Sequence, residues 1–172
     1  MPRTEFEIKG KIFIWDGSRF YSASGEEPQL ETRGALNLLL DREFKARTVF
    51  GADERLHFIN SLRTATQYDL AEQHIREVME KDPGRSDTRS TLCSILRSMG
   101  QPQRALDETA KFAAKGNPPL LTSRAAAMCD LERFEDAKKE VGRVLAIQKK
   151  IGDEAGAVVS RIKRARPDLY KK

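Results

Sequence analysis

Leu62-Arg63-Thr64-Ala65-Thr66-Gln67-Tyr68-Asp69-Leu70-Ala71, Leu96-Arg97-Ser98-Met99-Gly100-Gln101-Pro102-Gln103-Arg104-Ala105 and Met128-Cys129-Asp130-Leu131-Glu132-Arg133-Phe134-Glu135-Asp136-Ala137 follow one pattern. Each begins on an apolar residue, crosses a polar turn and ends on alanine. The alanines are 34 and 32 residues apart. Upstream of them stand Phe58, Ile59 and Leu62, then Leu92, Cys93 and Leu96, then Arg124, Ala125 and Met128. Four and seven residues downstream stand Ile75 and Val78, Thr109 and Phe112, Val141 and Val144. Apolar residues three and four apart share one helix face, so the pattern predicts a helix, a short turn and a second helix, three times over residues 52–151. No such pair buries its apolar face alone, so the three are expected to stack.

The register resembles three tandem tetratricopeptide repeats, over about 100 of the 172 residues. Pro83 stands where the family closes its first unit, and Pro118 closes the second one residue late. Arg55, Arg89 and Leu121 occupy the family's tryptophan position, and Arg124 lies where an apolar residue is usual. The resemblance implies a mainly α fold, an α-α superhelix of helical hairpins. It also implies that the first helix of each repeat lines an inner groove that receives a segment of another protein. Carried over by register, the groove residues are Asp53, Leu56, Asn60, Arg63 and Thr64, then Asp87, Ser90, Ser94, Arg97 and Ser98, then Pro119, Thr122, Ala126, Cys129 and Asp130. Arg63 and Arg97, 34 apart, are expected as two rungs on one face beside Asn60 and Ser94. Guanidinium forks match carboxylates, so an acidic or carboxylate-bearing peptide is the expected partner. The family's chaperone-tail clamp is not expected: Asn60 fits it, but Leu56, Thr91, Pro119 and Ser123 do not.

Outside the repeats the patterning changes. Phe6, Ile8, Gly10, Ile12 and Ile14 alternate with Glu7, Lys9, Lys11 and Phe13, which predicts one strand with those even positions buried. Asp16-Gly17 supplies a turn and Arg19–Ser22 a returning strand. Leu30, Leu36, Leu39, Leu40 and Phe44 mark an amphipathic helix ending before Val49-Phe50-Gly51. Residues 1–50 therefore read as a ββα lead-in, either a cap on the repeats or a module with its own binding face. Asp153 starts a last helix, with Ala155, Val158, Val159 and Ile162 on one stripe, and Pro167 ends it before a frayed tail. Residues 152–172 read as a basic capping helix.

Composition narrows the function. Hydrophobic content of 39% with 33% charged residues suits a packed, soluble protein. No apolar run approaches the roughly 20 residues of a membrane helix, and Met1-Pro2-Arg3-Thr4-Glu5 leads into no signal-peptide core. The cytoplasm is the expected compartment and no membrane partner is expected. Cys93 and Cys129 form no disulfide framework; Cys93 falls at a close helix contact. No phosphate-binding glycine loop, nucleophile elbow or His-x-x-x-His pair is present, so no enzyme, cofactor or metal is expected. The Asp53–His57 spacing is that of a surface pair, and His74 has no partner at ligand spacing.

The competing reading comes from charge. Residues 133–172 hold twelve Lys or Arg against six Asp or Glu, so the net +5 is carried by this end. Arg161, Lys163, Arg164 and Arg166 lie off the apolar stripe and offer a basic patch for nucleic acid or an acidic protein. The expectation is a non-enzymatic interaction module, adaptor or scaffold, with a nucleic-acid-associated protein as the alternative. Self-association is left open by the sequence.

Overall fold

The computed structural model describes residues 3–46, 51–148 and 150–171. Val49 and Phe50, where the first helix was expected to end, and Lys149 and Lys172 of the basic segment lie outside the described residues. Among those described, the order is β1 (Thr4–Ile8), β2 (Lys11–Trp15), β3 (Phe20–Ser22) and α1 (Leu30–Ala46), then α2 (Ala52–Thr64), α3 (Tyr68–Lys81), α4 (Asp87–Ser98) and α5 (Pro102–Ala113). Then come α6 (Pro118–Asp130), α7 (Phe134–Ile147), α8 (Asp153–Ala165) and a 3₁₀ turn at Pro167–Tyr170. The chain is mainly helical with a small N-terminal antiparallel sheet. It divides into two compact units, Met1–Glu80 and Lys81–Lys172. Among the described residues no helix is long and apolar enough to cross a membrane.

In the first unit, the single strand expected over residues 6–14 is two. Lys9 and Gly10 both take positive φ, 51° and 73°, and turn the chain within two residues. Such a turn matches the twist of the strands it joins. The sheet runs β1-β2-β3, with Phe6 opposite Phe13 and Thr4 opposite Trp15. Residues directly opposite share a face, so the turn switches the buried positions from even on β1 to odd on β2. Phe6, Phe13, Trp15 and Phe20 face inward, whereas Ile12, expected inside, sits opposite Glu7 and is 49% exposed. Asp16 forms the second turn as expected, its Oδ1 accepting the Ser18 and Arg19 amides at 2.8 and 2.9 Å.

The sheet is seated on helices by aromatic rings. Trp15 lies 4.8 Å from Phe20 and 6.3 Å edge-on from Phe58 of α2, and Phe58 stacks on Phe44 of α1 at 4.9 Å. A large apolar side chain fully buried is worth about 1.5–3 kcal/mol, and such ring pairs add about 0.5–1.5 kcal/mol. Asn37 of α1 is also buried. Its amide donates to Ser61 O at 3.2 Å and Gln67 Oε1 at 2.8 Å, and its carbonyl accepts from the Ser61 hydroxyl at 2.8 Å. Thus α1 is fixed to α2 and to the turn after it.

The three aligned turns share one backbone geometry. Thr66, Gly100 and Glu132 have φ of 57°, 73° and 58°. The amides of Gln67, Gln101 and Arg133 donate to Leu62, Leu96 and Met128 O, each at 2.9 Å, while those of Thr66, Gly100 and Glu132 donate to Arg63, Arg97 and Cys129 O. This double bond pattern satisfies the last carbonyls of a helix through a left-handed residue. Each alanine is then the fourth residue of its helix, α3, α5 or α7, fully buried and bonded to the residue before the helix.

In the second unit α4 packs on α5 and α6, α6 on α5, α7 and α8, and α7 on α8. Ala113, Leu121, Val144 and Ala155 close one core cluster. Pro118, expected at the close of the second repeat, is the first residue of α6, behind an Asn117 side chain that caps the Leu120 amide at 3.1 Å. Arg124, where an apolar residue is usual, is a largely covered cross-helix tie. It donates to Leu106 O at 2.7 Å and Thr109 Oγ1 at 2.9 Å on α5, and to Glu140 on α7 at 3.1 Å. The expected frayed tail is the 3₁₀ turn, with Tyr170 flanked by Lys138 and Lys163 at 4.9 and 5.2 Å.

Candidate interaction surface

The outward residues of α4 follow helix spacing: Ser90, Thr91 and Ser94 are half-buried and Ser98 is exposed. Buried Leu92, Cys93, Ile95 and Leu96 occupy the opposite arc, which sets this polar stripe outward. Ser90 and Thr91 both donate to Asp87 O, at 2.8 and 3.1 Å, and Ser98 donates to Ser94 O at 3.1 Å. These hydroxyl protons therefore point into the helix, leaving oxygen lone pairs outward. A ligand along the stripe has to bring N–H donors.

At the end of the stripe the chemistry reverses. Arg97 of α4 donates Nε to Asp130 Oδ2 at 2.7 Å, and Arg161 of α8 donates Nη1 to Asp130 Oδ1 and Nη2 to Cys129 O at 3.0 Å. One carboxylate thus ties α4, α6 and α8 together. Burial on its own would raise the Asp130 carboxyl, but the bonds from Arg97 and Arg161 outweigh it and hold the group below the ordinary carboxylate range. Two guanidiniums on one carboxylate leave a net positive charge. Arg97 is 24% and Arg161 48% exposed, so this cluster can receive a further anionic group.

The expected groove residues separate by unit. Asn60 and Arg63 belong to the first, where Asn60 is exposed and Arg63 Nη1 approaches Asn60 Oδ1 at 3.4 Å. Ser90, Ser94, Arg97, Thr122 and Cys129 belong to the second. Of these, Thr122 and Cys129 are buried, 7% and 1% exposed, because α6 is packed by helices on both sides and hides a wider arc than single-sided register assumes. Burial pushes the Cys129 thiol up despite Arg161 and Arg97, and pushes Cys93 up to about 11, so neither is held as a thiolate at neutral pH.

The expected basic patch is largely engaged within the chain. Arg161 is on Asp130; Arg166 holds Asp168 at 2.7 Å and Glu135 at 3.8 Å; Lys163 lies over Tyr170. Arg164 is exposed, with no ion-pair partner among the described residues. The register puts Arg97 and Asp130 on the expected groove and Arg161 in the expected basic patch, without pairing them. The available signal was their spacing of 33 and 31 residues, each close to one repeat.

The chain matches no protein-family model, no curated protein and no solved structure.

Proposed function

We propose that this chain is a non-enzymatic interaction module of the tetratricopeptide-like helical-repeat class, and that the α4–α6–α8 face holds an extended segment of another protein. The observation that carries the reading is the Arg97–Asp130–Arg161 cluster beside a row of outward hydroxyl oxygens. A peptide backbone supplies the N–H groups that the row accepts, and a side-chain or terminal carboxylate supplies the anion. Helices already packed on one another lose little freedom on binding, so the ordering cost falls on the peptide. The α4–α6 and α6–α8 contacts and the three equivalent turns support the repeat class.

Nucleic acid on the C-terminal end is the alternative, favoured by the excess of lysine and arginine over residues 133–172. The engagement of Arg161, Arg166 and Lys138 within the chain weakens it. Capture from nuclease-treated cell extract with the wild type and Arg97→Gln tests the two. A nuclease-resistant protein that the variant fails to retain, with its helical circular dichroism preserved, supports the groove. Capture that vanishes with nuclease, or falls steeply with salt as counterion release from phosphates requires, supports nucleic acid.

A further inference from the structure

A charged network lies inside the first unit. His74 of α3 is fully buried, edge-on to Phe58 at 4.9 Å and Phe44 at 5.7 Å. Its Nδ1 faces Arg55 Nη1 of α2 at 2.7 Å, and its Nε2 faces Asp41 Oδ1 of α1 at 2.9 Å. A guanidinium only donates, so Nδ1 must be the acceptor and the proton sits on Nε2, donated to Asp41. Arg55 also bonds Glu77, and Lys45 holds the other Asp41 oxygen at 2.8 Å. The groups facing the ring are thus Asp41, backed by Lys45, from α1, Arg55 from α2, and Glu77 on α3 itself.

We propose that His74 is a proton-operated latch: a proton on Nδ1 removes the acceptor that holds Arg55, and α2 loosens from α3. Protonation would set two cationic donors 2.7 Å apart with no acceptor between them. The Asp41 bond to the ring becomes an ion pair, so α1 stays with α3, while α2 loses the ring as one of the two α3 partners of Arg55 and is left with Glu77 alone. The network therefore chooses between two sets of partners according to its proton count.

Burial holds His74 below its ordinary value of 6.5, and Arg55 adds to this against Asp41 and Glu77. A group whose folded value lies below its unfolded one binds its proton more readily when released. The contribution is complete above about pH 6.5 and is lost as pH falls through the folded value. His57, the other histidine, is exposed.

Two measurements on the full chain test the latch. Hydrogen exchange, corrected for intrinsic rates, is expected to show α2 and α3 protection falling by up to tenfold per pH unit below about 6.5, the slope of one linked proton. Amides of the second unit, which has no histidine, serve as the reference. In His74→Gln, whose amide can accept from Arg55 and donate to Asp41 without titrating, the decline is expected to disappear. Should that variant fail to fold, nitrogen chemical shifts of the wild-type imidazole suffice: they are expected to show the Nε2–H tautomer at pH 7.5 and a midpoint below 6.5. Protection that does not change with pH, an equal decline in His74→Gln, an Nδ1–H tautomer or a midpoint at or above 6.5 would each overturn the proposal.

Discussion

Arg124→Leu is the sharpest test of how the second unit is held. The guanidinium reaches two helices from a third, and both it and Glu140 are almost fully covered, 11% and 7% exposed. Removing one member of a buried charged pair costs about 3–5 kcal/mol, chiefly because the other charge is left without its partner. Glu140 keeps Arg143 on its second oxygen at 2.7 Å, which places the loss near the lower figure. A leucine in the vacated space returns about 1 kcal/mol of apolar burial, since it fills only part of the volume. The net expectation is a loss of about 2 kcal/mol, read as a lower urea midpoint at unchanged slope, followed by far-ultraviolet circular dichroism. The double variant Arg124→Leu with Glu140→Leu removes both charges and is expected to recover most of the loss, a coupling of at least about 1 kcal/mol. A single-variant loss below about 0.5 kcal/mol, or strictly additive effects, would refute the assignment of Arg124 as a structural tie.

The remaining expectations concern turns, packing and acid. Thr66→Gly is expected to stabilise by about 0.5–1 kcal/mol, because a β-branched residue at φ 57° is strained and glycine is not; Gly100→Ala, at φ 73° with open space around its Cβ, should lose a similar amount, both read from urea midpoints. Ala105→Leu is expected to cost about 1–3 kcal/mol by overpacking a fully buried site in α5, and a melting temperature equal to the wild type would remove that alanine from the helix contact. Asp130, held low in the folded state, contributes stability above its ordinary value of 3.8 that disappears as pH falls through the folded value. The acid limb of unfolding should therefore be shallower in Asp130→Asn, and an unchanged limb would show that the carboxylate is not clasped in solution.

Much of the helical pattern was open to reading because it depends on residue size. Ala71, Ala105 and Ala137 occupy a site too tight for larger side chains, and that constraint repeats at a fixed interval along the chain. The sheet is less legible for a related reason. Alternation continues without a break through Lys9-Gly10, and only the shift of the large rings from Phe6 to Phe13 and Trp15 betrays the change of parity. Side-chain networks were the least legible. Asp41, Arg55 and His74 come from three helices, with Asp41 and His74 33 residues apart, and nothing local distinguishes a charge bound for the interior from one bound for solvent. Arg161 reads as part of a basic surface for the same reason: its partner Asp130 lies in another helix.

Trp15 is the chain's only tryptophan, enclosed by Phe20 and Phe58. The molecule therefore carries an intrinsic optical probe at the place where the sheet meets α2. With Trp15 fully buried, its emission is expected at the short wavelengths of an indole shielded from water. A red shift during any titration would report that the sheet had lifted from the helix, without a label and without interference from a second indole.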